Sequence, residues 1–428
     1  MVTIILISFG LLITIGIPIG FCLGLIPLIS TMFFMRFSPK VIPHEMFSSL
    51  DTFPLMAIPL FILAGNLMNT SKITHQLIKL SNSLVGWIRG GLAQVNIVVS
   101  MLFAGLNGSA VADTVSVGSV LIPVMKDEGY DADFSAAVTA SSSMIGAIIP
   151  PSVGMVIYGS TLGVSIGALF AAGIIPGILI GLSLMIVAFV ISVRRKYPVN
   201  SKKFHPLEFL KQLSHSILPL MLPVIIIGGI VFGVFTATEA AGIAVGYTAF
   251  LALVVYRNVT FSELIDCVFR SGVTTGVILL LVGASAPFAW LLTILEVPKI
   301  IAEGLTEVTT NKILVLILIN IFLLVMGMLL DATANILILG PILMPVAIAF
   351  GIDPIHFSLI MIINLIIGLG TPPVGTVLFA TVPIARVSVE KISVAILPFC
   401  LAQLFILGLV TYVPALTMWI PSMLGYVY

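Results

Sequence analysis

GAIIPPSVG (Gly146–Gly154) and GLGTPPVG (Gly368–Gly375) are the two stretches on which the fold turns. Adjacent prolines inside a helix remove backbone hydrogen bonds and clash with the preceding turn, whereas they suit the first turn of a new helix. Each stretch therefore predicts a helix break. The helix before it ends in free carbonyls, and the helix after it begins with free N–H groups and the positive end of its dipole.

Around these breaks the chain is apolar. Hydrophobic residues make up 60% of it, and only 18 Lys+Arg and 17 Asp+Glu, 8% of 428 residues, carry charge. A soluble domain has roughly 25% charged residues, so these cannot cover a soluble surface. Residues 134–193, which contain the first break, hold no charged side chain, and the same is true of 1–35, 90–112, 212–238, 271–295, 313–330, 354–385 and 392–428. A helix needs about 20 apolar residues to cross a bilayer, so these runs predict an all-α polytopic membrane protein; the alternation of a β-barrel is absent. No basic stretch or cleavage site marks the apolar N-terminus, so the first segment is expected to be a retained span. A net charge of +1 offers no field for nucleic acid. Cys22, Cys267 and Cys400 are isolated, and the five histidines do not pair at metal spacing, so neither a disulfide framework nor a zinc site is expected.

A shift of 222 residues superposes 105–151 on 327–373 without a gap, with identities at 13 of 47 positions, where this composition alone would give roughly 4. The matches include Gly105/Gly327, Gly118/Gly340, Pro123/Pro345, Gly129/Gly351, Gly146/Gly368, Pro150/Pro372 and Pro151/Pro373, residues whose backbone limits define shape. The chain is read as two related halves, 1–200 and 216–428, joined by a cytoplasmic linker at 201–215. The residues leave open whether the halves are parallel or inverted.

Segment 36–53 (Arg36, Lys40, Glu45, Asp51) is a mixed-charge loop. Segments 69–91 (Lys72, Lys79, Arg89) and 194–215 (Arg194, Arg195, Lys196, Lys202, Lys203, Lys211 against Glu208) are basic and hence cytoplasmic. Segment 296–312, with three Glu against two Lys, leans outward. Residues 72–89 and 260–270 are amphipathic and predict helices lying in the interface, one arm in each half.

A second polar site repeats ahead of each break. Asn107-Gly-Ser-Ala-Val-Ala-Asp113-Thr114 is matched by Asp331-Ala-Thr-Ala-Asn335, pairing Ser109 with Asp331 and Asp113 with Asn335. In both halves two polar residues four apart share a helix face. An acid among apolar residues is costly unless functional. Asp113 is read either as a helix cap or as ordering a cation-binding turn. Ser141, Ser142 and Ser143, with Asn364 opposite Ser142, add polar groups before the breaks. Broken helices at matching places in two halves point to a transport site near the midplane, with carbonyls suited to Na⁺ and N-termini to an anion; an ordinary proline kink is the plainer alternative. Glu239, after Thr236 and Thr238, reads as part of a helix N-terminus. Gly16, Gly20 and Gly24 read as close helix packing, and Trp87, Trp290, Trp419, Tyr426 and Tyr428 as interfacial anchors.

NGSAVADTVSVGSVLIPVMKDEGY, the IIPPS break, GVFTATEAA and the TPPVG break, in that order, resemble the large membrane subunit of the tripartite ATP-independent periplasmic (TRAP) transporters, over essentially the whole chain. The resemblance implies inverted repeats, each with a re-entrant helical hairpin and a broken helix (around 105–155 and 327–377), in an elevator-type transporter of the bacterial inner membrane. It implies Na⁺-coupled import of a small carboxylate, sialic acid or a C4-dicarboxylate, handed over by a soluble periplasmic binding protein. A separate small four-helix membrane subunit would brace the scaffold. Na⁺ is the coupling ion and no other cofactor is implied. Carried onto this chain, one Na⁺ site involves Asn107, Gly108, Ser109 and Asp113 with Gly146 and Pro150. The other involves Asp331, Thr333 and Asn335 with Gly368 and Thr371. Substrate is expected near Ser142, Ser143, Pro151 and Ser152 in one half, and near Asn364, Pro373 and Gly375 in the other. The absence of an arginine beside the breaks leans toward an acidic sugar over a dicarboxylate.

Two alternatives stand beside this reading. One is a sodium–anion symporter without a binding protein. The other is an intramembrane aspartyl protease using Asp113 and Asp331 near Pro414-Ala415-Leu416, against which Asp331 lacks a GxGD context and repeats as Ser, not Asp.

Overall fold

A computed structural model describes residues 2–35, 37–71, 73–198 and 204–426. Arg36, Lys72, Lys202, Lys203 and Tyr428 lie outside the described residues, as does the side chain of Asn107.

The described chain is helical. The first half comprises α1 (Val2–Thr14), α2 (Ile19–Phe33), α3 (Val41–Leu50), α4 (Ala57–Thr70), α5 (Ile73–Val85), α6 (Gly91–Asn107), α7 (Ala110–Asp127), α8 (Ala132–Ser143), α9 (Val153–Leu162) and α10 (Ile166–Arg194). The second comprises α11 (Pro206–Val231), α12 (Ala237–Phe250), α13 (Phe261–Ile294), α14 (Val297–Val308), α15 (Lys312–Leu329), α16 (Ala332–Ala349), α17 (Pro354–Gly368), α18 (Thr376–Ala385), α19 (Val389–Tyr412) and α20 (Ala415–Met423). Among the described residues, eight helical segments are long and apolar enough to span a membrane.

The repeat is visible element by element: α6–α10 matches α15–α19, with both proline pairs at the same place between α8 and α9 and between α17 and α18. Between α6 and α15 the chain crosses five times, through α8–α9, α10, α11, α12 and α13. An odd number of crossings starts the second repeat from the opposite face, so the repeats are inverted. The same counting puts 69–91 and 194–215 on one face, as their basic character requires, and 296–312 on the other.

The repeat halves are not the packing units. One body is built from α1–α5 with α11–α13: α4 packs between α12 and α13, and α13 also lies on α2 and α3. The other is built from α6–α10 with α15–α20, where α7 and α8 meet α18, α8 and α10 meet α19, and α15 meets α17. Contacts of α5 with α6, of α4 with α6 and α9, of α11 with α6 and α10, and of α13 with α16 join the two bodies, and α14 packs against both α13 and α16.

Several expectations change. Residues 260–270 are not a separate arm but the opening turns of the 34-residue α13, started by a capping box in which Thr260 and Glu263 exchange hydrogen bonds. At 1.5 Å per residue that helix is about 51 Å long against a core of about 30 Å, so its first turns extend past the hydrocarbon. The counterpart of α5 is instead α14, with Val297, Ile300, Ile301, Leu305 and Val308 on one face and Lys299, Glu303, Thr306 and Glu307 opposite. In α5 the apolar stripe Ile73, Leu77, Leu80 and Val85 is buried against α6 and α11. Most of the 201–215 linker is already α11, which Pro206 opens at its first turn. The first segment is two short helices, of 13 and 15 residues, separated at Gly16–Pro18 and too short to span separately. Of the glycine ladder, only Gly20 faces a neighbour, Leu280 and Leu281 of α13.

Candidate functional site

Each repeat carries a tight helical hairpin. In the first, α6 ends at Gly108 in the left-handed region (φ 63°) and Ser109 is the N-cap of α7. In the second, α15 runs through Leu330 to Asp331, whose carboxylate accepts from the Thr333 N–H (2.9 Å) as the N-cap of α16. The hairpins enter from opposite faces, yet Gly108 and Ser109 line one cavity with Asp331 and Thr333. Tips that meet in one cavity cannot each cross, so both hairpins are re-entrant. The cavity, about 220 Å³, is also lined by Ala147, Ser152 and Gly154 of the first break and by Leu369 of the second.

The tip and the break of the first half touch through backbone: a Cβ at Gly108 would lie 2.8 Å from the Pro151 carbonyl oxygen. In the second half Gly368, the last residue of α17, sits against Gly327 of α15, and a Cβ there would lie 2.6 Å from the Gly327 Cα and carbonyl carbon. Pro150–Pro151 and Pro372–Pro373 are both cis.

Behind each tip lies a buried side-chain oxygen without a hydrogen-bond partner among the described residues. Asp113, in the first turn of α7, is buried, and neither carboxylate oxygen receives a hydrogen bond. The nearby Ser100 hydroxyl donates instead to Ser142 (3.2 Å). Gly146 packs on Asp113, a Cβ at 146 lying 3.6 Å from the Asp113 Cβ. Asn335 occupies the same place in α16: it donates to the Met326 (2.9 Å) and Leu330 (3.1 Å) carbonyls, and its Oδ1 is unpartnered. Asp113 is thus not a helix cap. A buried acceptor left without a donor costs about 1–3 kcal/mol, more when charged, and a cation held beside these two repeat-equivalent oxygens would satisfy both. Carboxylate, amide oxygen and neighbouring helix-end carbonyls are the hard oxygen donors that alkali cations take.

The remaining expected residues divide. Ser152 lines the cavity and caps α9, donating to the Ala147 carbonyl (2.6 Å) and accepting from the Met155 N–H (3.4 Å). Ser142 and Ser143 are turned away from it: Ser142 donates to Asn96 (3.1 Å) and Ser143 pairs with Thr114 (2.6 Å), fastening α8 to α6 and α7. Asn364 donates through Nδ2 to the carbonyl (2.9 Å) and side-chain oxygen (2.7 Å) of Asn320 in α15, while its own Oδ1 is buried without a hydrogen-bond partner among the described residues. Thr371 returns to the Ile367 carbonyl (2.7 Å). Pro150, Pro151, Gly368, Pro373 and Gly375 shape the breaks without lining the cavity. Glu239 closes a capping box with Thr236, as its sequence suggested. Asp331 lines the cavity but Asp113 does not, so the two carboxylates do not form the pair a protease needs.

Two polar cavity residues were not anticipated, Asn66 of α4 and Thr274 of α13. Asn66 donates to Ser271 (2.8 Å). Its polarity inside AIPLFILAGNLMNT was the available signal.

A family model described as "Tripartite ATP-independent periplasmic transporter, DctM component" matches residues 6–416. The chain is 38% identical to the Vibrio cholerae sialic acid TRAP transporter large permease protein SiaM, covering 96% of each chain. It is also 38% identical to the Pseudomonas aeruginosa C4-dicarboxylate TRAP transporter large permease protein DctM, covering 94% of each. Its fold is similar to the crystal structure of the Alcanivorax borkumensis YdaH transporter, with TM-score 0.59 at 16% identity over 90% of this chain and 89% of that one.

Proposed function

The chain belongs to the DctM component family of tripartite ATP-independent periplasmic transporters, and from that premise we propose that it is the large permease of a Na⁺-coupled carboxylate importer. It is a multi-pass protein of the bacterial inner membrane and not an enzyme. The cargo is a sialic acid or C4-dicarboxylate type of acid, delivered by a periplasmic binding protein, and a small four-helix membrane subunit completes the scaffold. Relatives named for sialic acid and for C4-dicarboxylate are equally similar, so identity does not choose between them.

The observation that carries this reading is the repeat-related pair of buried, unpartnered oxygens, on Asp113 and Asn335, behind two tips that share one cavity. Na⁺ bound there fixes each tip against its break. The ordered N-termini of α7 and α9 then present positive dipole ends to a carboxylate, that of α16 being already capped by Asp331. Binding of Na⁺ thus assembles the anion site, which couples the two fluxes. The body of α6–α10 with α15–α20 carries the site past the body of α1–α5 with α11–α13, an elevator motion.

In proteoliposomes containing the chain, its membrane partner and the binding protein, uptake is expected only with an inward Na⁺ gradient. Equal uptake in choline buffer refutes the coupling, and equal uptake without the binding protein refutes the three-part assembly.

A further inference from the structure

We infer that Arg270 of α13 forms a release subsite for the cargo's carboxylate at the cytoplasmic mouth of the site, an inference that rests on the carboxylate reading above. A second cavity, about 600 Å³, adjoins the first and shares Asn66, Ser109, Val111 and Ala112 with it. Its wall on α13 is Glu263, Asp266, Cys267 and Arg270, and the same stripe continues into the site cavity as Thr274 and Ile278. Steps of three and four residues keep these side chains on one helix face. Arg270 is therefore the charged residue of this stripe nearest the site, one turn or about 6 Å of helix from Thr274.

The other walls fix the side of the membrane. Asn69 and Thr70 end α4, where the chain enters the basic 69–91 segment, so the mouth is cytoplasmic. Facing Arg270 across the cavity, α7 offers the small or uncharged Ala112, Val115 and Ser116.

Arg270 is exposed and takes part in none of the ion pairs among the described residues, which are Arg195 with Asp131 and Asp133, and Lys299 with Glu296. Asp266, four residues earlier and well spaced for pairing, does not hold it. Its planar fork of donors matches a carboxylate bidentately. An anion leaving the site meets Arg270 before Asp266, which lies one turn further along the same face of α13. No arginine neighbours the breaks in sequence, but folding brings this one to the mouth of the site, which removes the argument against a dicarboxylate.

The test uses the complete transporter in proteoliposomes with sialic acid and succinate as probes. Half-saturation is measured for external uptake and, separately, for internal acid driving exchange. Arg270→Gln is expected to raise the internal value about fivefold, the size of a partly solvated charge contact, with the external value unchanged and Arg270→Lys restoring most of the loss. An unchanged internal value, or equal change on both sides, overturns the subsite. In purified wild-type protein, millimolar sialic acid or succinate should slow labelling of Arg270 by phenylglyoxal, and glucose should not. Labelling indifferent to both acids overturns it independently. Wild type that accumulates neither acid fails the carboxylate reading instead, and the labelling result then decides the subsite alone.

Discussion

Gly368→Ala inserts one methyl group where α17 meets α15. The added Cβ would stand 2.6 Å from the Gly327 Cα and carbonyl carbon, whereas carbon atoms rest at about 3.5–4.0 Å. The obstacle is backbone, which no rotamer change relieves, so the helices must separate locally by about 1 Å. Overpacking of this kind costs about 1–3 kcal/mol. Its effect on function is larger in kind, because the carbonyls at the end of α17 move with it, and binding sites tolerate displacements of only about 0.5 Å. The expected result is a modest drop in melting temperature in detergent, with the Na⁺ half-saturation of uptake raised at least about tenfold, equivalent to about 1.4 kcal/mol. Gly24→Ala is the control, since nothing lies within 4 Å of a Cβ there, and it should match wild type in both assays. A Gly368→Ala protein that melts lower but keeps the wild-type Na⁺ dependence would refute the placement of a cation site at this break.

Asp113→Asn keeps shape and replaces the carboxylate ligand behind the first tip by an amide; Na⁺-dependent uptake should fall at least about tenfold, while the melting temperature measured without Na⁺ should change little, since the amide fills the same space. Outside the membrane, the Tyr197 hydroxyl donates to Asp131 (2.6 Å) and, with the Arg195 guanidinium (2.8 Å), holds its carboxyl below the ordinary aspartate range against the opposing effect of partial burial. A depressed native value gives stabilisation that is full above the unfolded value of about 3.9 and lost as pH falls through the native one. Melting curves of wild type and Asp131→Asn should therefore differ at pH 6 and converge below pH 4, and a gap constant with pH would contradict the clamp.

Much of the fold is legible in the sequence because its determinants are local. Paired prolines break helices wherever they stand, uncharged runs of sufficient length enter the bilayer, and repeated Gly and Pro positions report repeated shape. The tips at Ser109 and Asp331 were found the same way, as polar residues in apolar surroundings. The Thr236–Glu239 capping box is equally local, complete within four residues.

What only the tertiary structure decided depends on groups far apart in the chain. Ser142, Ser143 and Asn364 have the same chemistry whether they face a cavity or a neighbouring helix; packing against Asn96, Thr114 and Asn320 sends them to the helices. The independence of 260–270 was lost because no residue ends the helix before Ile294. The inverted relation of the repeats required counting crossings, which follow from where each helix begins and ends. Asn66 and Arg270 reach the route from a different packed body, brought there by contacts of α4 and α13 with the hairpins. Sequence thus determined which segments must break and where polar groups are confined in an apolar chain, since those are properties of single residues and their neighbours. Which of those groups converge on one cavity was settled by folding, because convergence is a property of distances between helices.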